Sequence, residues 1–264
     1  MSRPLQGQVI LNTRPAHQQA ELTKMLERDG ARVLGYPVIE IQPAAARQAA
    51  LERIDDYDIL LFVSRNAVDG AFRLLDSGRI RPGTRLGVIG TATRTALEQA
   101  LADSPLDIDS GLIAAEPYNS EALLEALATL DVAGLRVLIL RGQQGRNLLG
   151  DTLRERGARV DYAEVYRRAV PAGGADAFNR LVEGVMPDLV ILTSDEGMHN
   201  LIEMVDASAA RALRAIPWLL ISERMRESAQ KLGHNAPVLI AQNASDTGIR
   251  QTISDWAEAQ GRDI

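Results

Sequence analysis

Cysteine is absent from the 264-residue chain. That removes disulfides, thiolate nucleophiles, iron–sulfur clusters and cysteine-based zinc sites from consideration. Histidine is nearly as scarce. His17, His199 and His234 form neither an H-E-x-x-H motif nor an i, i+4 pair, so each reads as a surface or capping residue and no metal is expected. Aromatic residues make up only 4% of the chain, little material for base-stacking platforms or a flavin sandwich. No apolar run approaches the roughly 20 residues of a membrane-spanning helix. The opening MSRPLQGQVILNTRP carries no signal-peptide apolar region, so the expectation is a soluble cytoplasmic protein without membrane association.

Several motifs are missing as well. No G-x-G-x-x-G follows a strand, no G-x-x-x-x-G-K-[ST] occurs, and no G-x-S-x-G elbow is present. Dinucleotide, Walker and α/β-hydrolase chemistry therefore lack an anchor. The run Arg141-Gly142-Gln143-Gln144-Gly145-Arg146 contains a G-x-x-G that a tight strand-to-helix turn explains as well as a binding loop does. Asp55, Asp56 and Asp58 immediately precede a strand, where a solvated turn accounts for them. Met198, Met204 and Met225 lie at helical spacings that suit packing. The net charge of −6 disfavours nucleic acid as a partner, so an anionic ligand must be held by local arginines and helix N-termini. No cofactor is expected. An enzyme built from this material acts by positioning, water exclusion and preorganised dipoles.

What is present is a repeat. The 46% hydrophobic and 24% charged content sits near globular averages, enough for one large domain or two ordinary ones. Residues 9–13 (VILNT) read as a strand and Ala16 to Arg28 as a helix, with Ala20, Leu22, Met25 and Leu26 inward. Gly30 ends the helix, and Arg32-Val33-Leu34 begins a second strand. A shift of 127 positions (134 − 7) pairs Gly7 with Gly134, Leu11 with Leu138, Arg14 with Arg141, Leu22 with Leu149 and Leu26 with Leu153. The same shift carries Gly30-Ala31-Arg32-Val33 onto Gly157-Ala158-Arg159-Val160, which marks a duplicated βαβ unit. A shift of 130 (188 − 58) pairs DILLFVS from Asp58 with DLVILTS from Asp188. Gly87-Val88-Ile89-Gly90 then resembles Leu219-Leu220-Ile221-Ser222. Strand-like Leu106-Asp107-Ile108 corresponds loosely to Val238-Leu239-Ile240.

The order of these pieces predicts two α/β domains of flavodoxin-like type, each a parallel sheet between helices. Domain one is discontinuous, 1–37 plus 168–264. Domain two spans 43–163, with 38–42 and 164–167 as a two-stranded linker. A single doubly wound sheet is the competing arrangement. In the two-domain reading the strand-end loops face a cleft. They are Thr13-Arg14-Pro15, Val63-Ser64-Arg65-Asn66, Gly90-Thr91-Ala92-Thr93, Arg141-Gly142-Gln143, Thr193-Ser194-Asp195 and Ser222-Glu223-Arg224. Each hydroxyl serves equally well as a simple helix cap. Six such loops, two with arginine at matching positions, point to an anion-binding cleft. A two-domain cytoplasmic binding or regulatory protein for a small anion shares these features, and so does a flavodoxin-like electron carrier.

Taken in order, NTRP (12–15), LLFVSRNAV (60–68), VIGTATRTAL (88–97), RVLILRG (136–142) with GARV (157–160), VYRR (165–168) and LTS (192–194) resemble the uroporphyrinogen-III synthase family over nearly the whole chain. The resemblance implies a monomeric, cofactor-free lyase of haem and sirohaem biosynthesis. It implies conversion of hydroxymethylbilane, a linear tetrapyrrole with eight carboxylates, into uroporphyrinogen III with inversion of ring D and loss of water. It also leaves room for transient contact with the preceding pathway enzyme. Carried over residue by residue, Tyr166 matches the family's V-Y tyrosine and is the candidate hydrogen-bond donor to the departing hydroxyl. Arg14, Arg141 and Arg146 are candidate carboxylate contacts. Ser64, Asn66, Gly90, Thr91, Thr93, Ser120, Gly142, Thr193, Ser194 and Ser222 match the lining of the family's cleft. The chain departs from the pattern at Val63, where the family often has a threonine. It departs again at ISERMR (221–226), where Glu223, Arg224 and Met225 replace a turn of small residues and offer Arg224 for carboxylate binding.

Overall fold

Strands that are buried on both faces need continuous apolar runs rather than alternation, and VILN (9–12) and ILLF (59–62) are buried at every position. These two segments are central strands of two separate sheets. The computed structural model describes residues 3–44, 49–75, 79–102, 113–114, 119–143 and 145–261. In chain order the elements begin β1 (Val9–Asn12), α1 (Ala20–Arg28), β2 (Arg32–Gly35), β3 (Glu40–Pro43), α2 (Ala49–Glu52), β4 (Ile59–Phe62), α3 (Arg65–Phe72), β5 (Arg85–Ile89) and α4 (Thr91–Ala100). Then come β6 (Ile113–Ala114), α5 (Ser120–Ala126), β7 (Arg136–Gly142), α6 (Leu148–Glu155), β8 (Arg159–Ala169) and α7 (Gly174–Leu181). The chain ends with β9 (Leu189–Ile191), α8 (Asp195–Met204), α9 (Ala207–Arg214), β10 (Trp218–Leu220), α10 (Glu223–Lys231), β11 (Val238–Ile240) and α11 (Asp246–Gly261).

The chain divides into two compact units, Met1–Glu40 with Ala169–Ile264, and Ile41–Arg168. In the first unit the sheet order is β11-β10-β9-β1-β2, and every ladder in it is parallel. In the second the order is β3-β8-β7-β4-β5-β6, and the ladders from β8 to β6 are parallel. Counted from β1 in one unit and β7 in the other, both sheets follow the 2-1-3-4-5 order of flavodoxin-like folds. The edge strand β3 beside β8 makes the second sheet mixed. The stretch 164–167 lies inside β8, which runs unbroken through it.

The duplication reaches individual hydrogen bonds. The Asp188 carboxylate accepts the Val9 N–H at 2.7 Å while the Asp188 N–H donates to the Val9 carbonyl at 2.7 Å. Asp58 repeats both contacts with Arg136, at 2.9 Å each. Asp58 also binds Arg81 at 3.0 Å, so it fastens strand starts and is more than the solvated turn its sequence suggested. At the end of α1 the Ala31 N–H reaches back to the Leu26 carbonyl, and at the end of α6 Ala158 does the same to Leu153, both at 3.0 Å. That six-to-one bond needs a left-handed residue between, and Gly30 (φ +103°) and Gly157 (φ +87°) supply it.

In the first unit α1 and α11 cover one sheet face through Leu22, Leu26, Ile249 and Ile253, packed on Ile10, Leu189 and Leu219. Ala20 was expected inward with them but is exposed. It stands two residues, about 200° around the helix, from Leu22. In the second unit α3 and α4 close one face over Phe62, Leu138 and Leu140, and α5 and α6 close the other over Leu61, Val137 and Ile139. Met198, Met204 and Met225 are buried packing residues. Leu106-Asp107-Ile108 lies outside the described residues. Among the described residues no helix is long and apolar enough to cross a membrane.

Candidate functional site

At the carboxyl ends of the second unit's strands the candidates separate into two groups, one on each sheet face. The first is built around Tyr166. Along β8 the pairing runs Arg141 opposite Glu164 and then Gly142 opposite Tyr166, a register shift that leaves Val165 as an extra residue. Ala163 and Val165 pack on the α3 side, as alternation requires, and the bulge puts Tyr166 there too. The Tyr166 ring is buried, and its hydroxyl stands 3.2 Å from Ser64 Oγ. Ser64 is the N-cap of α3 and accepts the Ala67 N–H at 3.1 Å. Gly142 lies under the ring: a Cβ there would come within 2.6 Å of Tyr166 Cζ. Asn66, in the first turn of α3, is half-buried.

The second group lines a cavity of about 200 Å³ that includes Val63, Ile139, Ser120, Arg141 and Arg146. Its floor faces the α5 and α6 side. Asn119 joins this lining and caps α5, accepting the Ala122 N–H at 2.8 Å, whereas Ser120 is only the first helical residue. Arg141 is mostly covered and pairs with Glu164 at 3.3 Å. Its Nη1 donates to the carbonyls of Gly145 and Arg146 and to Asn147 Oδ1. Arg146 is exposed and pairs with Glu121 at 3.3 Å. Gly90 precedes α4 with φ +85°, Thr91 is exposed and Thr93 is buried in the helix flank.

In the first unit Arg14 occupies the repeat position of Arg141 and is likewise ion-paired, to Asp246 at the start of α11. Gln19 Nε2 donates to the carbonyls of Asn12 and Arg14 and pins that loop. Ser194 caps α8 through the Gly197 N–H at 3.0 Å, and Ser222 caps α10 through the Met225 N–H at 3.4 Å. Thr193 is half-buried beside the first of these caps. Arg224, largely exposed, pairs with Asp195 at 3.0 Å. Ser64, Ser194 and Ser222 thus do cap helices, and the arginines have internal carboxylates. Gln19, Asp246, Asn119 and Glu164 were not singled out in the sequence. Of these only Asn119 announced itself, as a cap residue ahead of the SEALLEA helix.

Residues 20–249 match the family described as uroporphyrinogen-III synthase HemD. The chain belongs to the uroporphyrinogen-III synthase family. It is 30% identical over 249 residues to the uroporphyrinogen-III synthase of Escherichia coli (strain K12), covering 92% of this chain and 99% of that one. Its fold is similar to that of a mutant uroporphyrinogen III synthase from the extremely thermophilic bacterium Thermus thermophilus, with TM-score 0.61 and 15% identity over 97% of this chain and 100% of that chain. It is also similar to the fold of the uroporphyrinogen-III synthetase from Helicobacter pylori 26695, with TM-score 0.60 and 15% identity over 94% and 99%. The uroporphyrinogen-III synthase family match favours the enzyme over the anion-binding protein that the two-domain architecture also allowed.

Proposed function

We propose that this protein converts hydroxymethylbilane into uroporphyrinogen III as a cyclising hydro-lyase. The observation that carries the reading is the family match across residues 20–249. The bilane loses its hydroxyl with a proton, as water, and leaves an azafulvenium cation. The substituted α-carbon of ring D attacks first and gives a spiro-pyrrolenine, which fragments and recloses with ring D inverted. Left alone, the bilane closes to the type I isomer, so the protein must hold the chain folded for the other attack.

Tyr166 is the proposed donor to the departing hydroxyl. Ser64 Oγ already accepts the Ala67 N–H, and its own proton is free to go to the phenol oxygen 3.2 Å away. The phenol proton then remains for the substrate. Arg14, Arg141, Arg146 and Arg224 are the proposed carboxylate contacts. Each would trade or share its internal acid partner with a substrate carboxylate. Thr193, Ser194, Ser222, Ser120, Asn66, Gly90, Thr91 and Thr93 contribute helix starts and short polar groups that suit anions. The proposed setting is a cytoplasmic monomer. Transient contact with the enzyme that releases the bilane would shorten the time available for spontaneous closure. The test is to supply hydroxymethylbilane, oxidise the products and separate the isomers. A dominant type III product supports the reading; type I alone overturns it.

A further inference from the structure

Arg141 is held in a way that its repeat partner is not. Its guanidinium carbon lies 3.8 Å from the centroid of the Tyr162 ring, close enough for a face-on cation–π stack. Arg154 approaches the same ring at 5.1 Å. The Tyr162 hydroxyl donates to the Asn147 carbonyl at 3.3 Å. Arg141 Nη1 donates to Gly145, Arg146 and Asn147 of the same turn. Gly150 makes room for the ring, since a Cβ there would fall on the Tyr162 hydroxyl. The shift of 127 carries Gly35 onto Tyr162. At Gly35 the space beside the backbone is taken by the Gln19 side chain, so Arg14 has no ring at the corresponding position.

We propose that Tyr162 is a positioning residue that fixes the plane of the Arg141 guanidinium for a substrate carboxylate. The inference rests on the functional reading above and extends it. Of the five guanidinium N–H groups, the two on Nη1 go to the 145–147 turn and one on Nη2 goes to Glu164. Nε is buried and has no partner among the described residues. One N–H on Nη2 is therefore left for a substrate carboxylate, while Nε–H is closed off from the surface. A charge-assisted bond from that N–H keeps its direction only when the guanidinium plane is fixed, and the aromatic face beneath the guanidinium fixes it. Arg141 lines the cavity whose other polar groups include Ser120 and Arg146, so a carboxylate of the bilane is the ligand of matching chemistry.

The test is steady-state kinetics on hydroxymethylbilane with Tyr162→Phe, Tyr162→Leu and Tyr162→Met, the last filling the space without a π face. Tyr162→Leu and Tyr162→Met are expected to raise KM about five- to tenfold with kcat within about twofold, and Tyr162→Phe to keep the wild-type KM. In an Arg141→Ala background Tyr162→Leu should add little. An unchanged KM in both aliphatic variants overturns the proposal. So does an equal rise in Tyr162→Phe, or additive effects in the double variant. A wild-type protein that yields only the type I isomer removes the functional reading and this proposal with it. Wild-type activity with aliphatic variants of normal KM removes this proposal alone.

Discussion

The Tyr166 hydroxyl stands 3.2 Å from Ser64 Oγ, joining the far end of β8 to the first residue before α3. A strand without a bulge would not bring them together. With strict alternation Tyr166 would share a face with Tyr162 and Glu164, the residues around Arg141. The extra residue at Val165 turns the phenol to the opposite side of the sheet. One bulge thus separates a phenol site from an arginine site on neighbouring residues of a single strand.

Gly142 is the test of that geometry. Its absent Cβ would lie 2.6 Å from Tyr166 Cζ and 3.0 Å from the phenol oxygen. Gly142→Ala must therefore push the ring away from Ser64. We expect turnover to fall at least tenfold, with a stability loss of about 1–3 kcal/mol by denaturant unfolding. Turnover within twofold of wild type would show that the ring position does not matter.

Ser64 has two tasks, capping α3 and orienting the phenol. Ser64→Ala removes both. The lost cap should cost about 1 kcal/mol of unfolding free energy, and kcat should fall several-fold because the phenol loses its orienting partner. Ser64→Thr, which keeps the hydroxyl, should restore most of both. A Ser64→Ala enzyme with full kcat would detach Ser64 from the chemistry and leave it a cap.

His234 reports on stability away from these sites. It is buried against Trp218 at 4.2 Å between ring centroids, with Nε2 3.1 Å from the Ile216 carbonyl. Burial lowers its pKa below the ordinary 6.5. A histidine whose folded pKa is depressed binds its proton more readily when unfolded. Its contribution is then complete above about pH 6.5 and is lost as pH falls from there towards the folded pKa, by at most about 1.4 kcal/mol per pH unit. Urea unfolding at pH 7.5 and pH 5.5 should show a smaller drop for His234→Phe than for wild type. Equal drops would mean that His234 does not titrate differently on unfolding.

Much of this architecture could be read from spacing alone. The shift of 127 that pairs Gly30-Ala31 with Gly157-Ala158 corresponds to two helix ends closed by the same six-to-one hydrogen bond. The shift of 130 that pairs Asp58 with Asp188 corresponds to the same carboxylate contact on a neighbouring strand. Both are local backbone requirements, so they leave a mark in sequence. The side-chain partners of the candidate arginines do not. Asp246 lies 232 positions from Arg14, and nothing near either residue encodes the pair. The β8 bulge is equally silent, because VYRR reads as an ordinary strand until the register with β7 is seen. Ala20 was misassigned for a simpler reason, that residues two apart on a helix cannot share a face.

The most direct measurement is kcat for type III formation by Tyr166→Phe, corrected for spontaneous closure, together with its melting midpoint. The phenyl ring keeps the packing and loses only the hydroxyl beside Ser64. We predict a fall in kcat of at least about tenfold, within the range for general-acid assistance, with the midpoint within a few degrees of wild type. A Tyr166→Phe enzyme that forms the type III isomer at the wild-type rate would contradict the role given to the phenol.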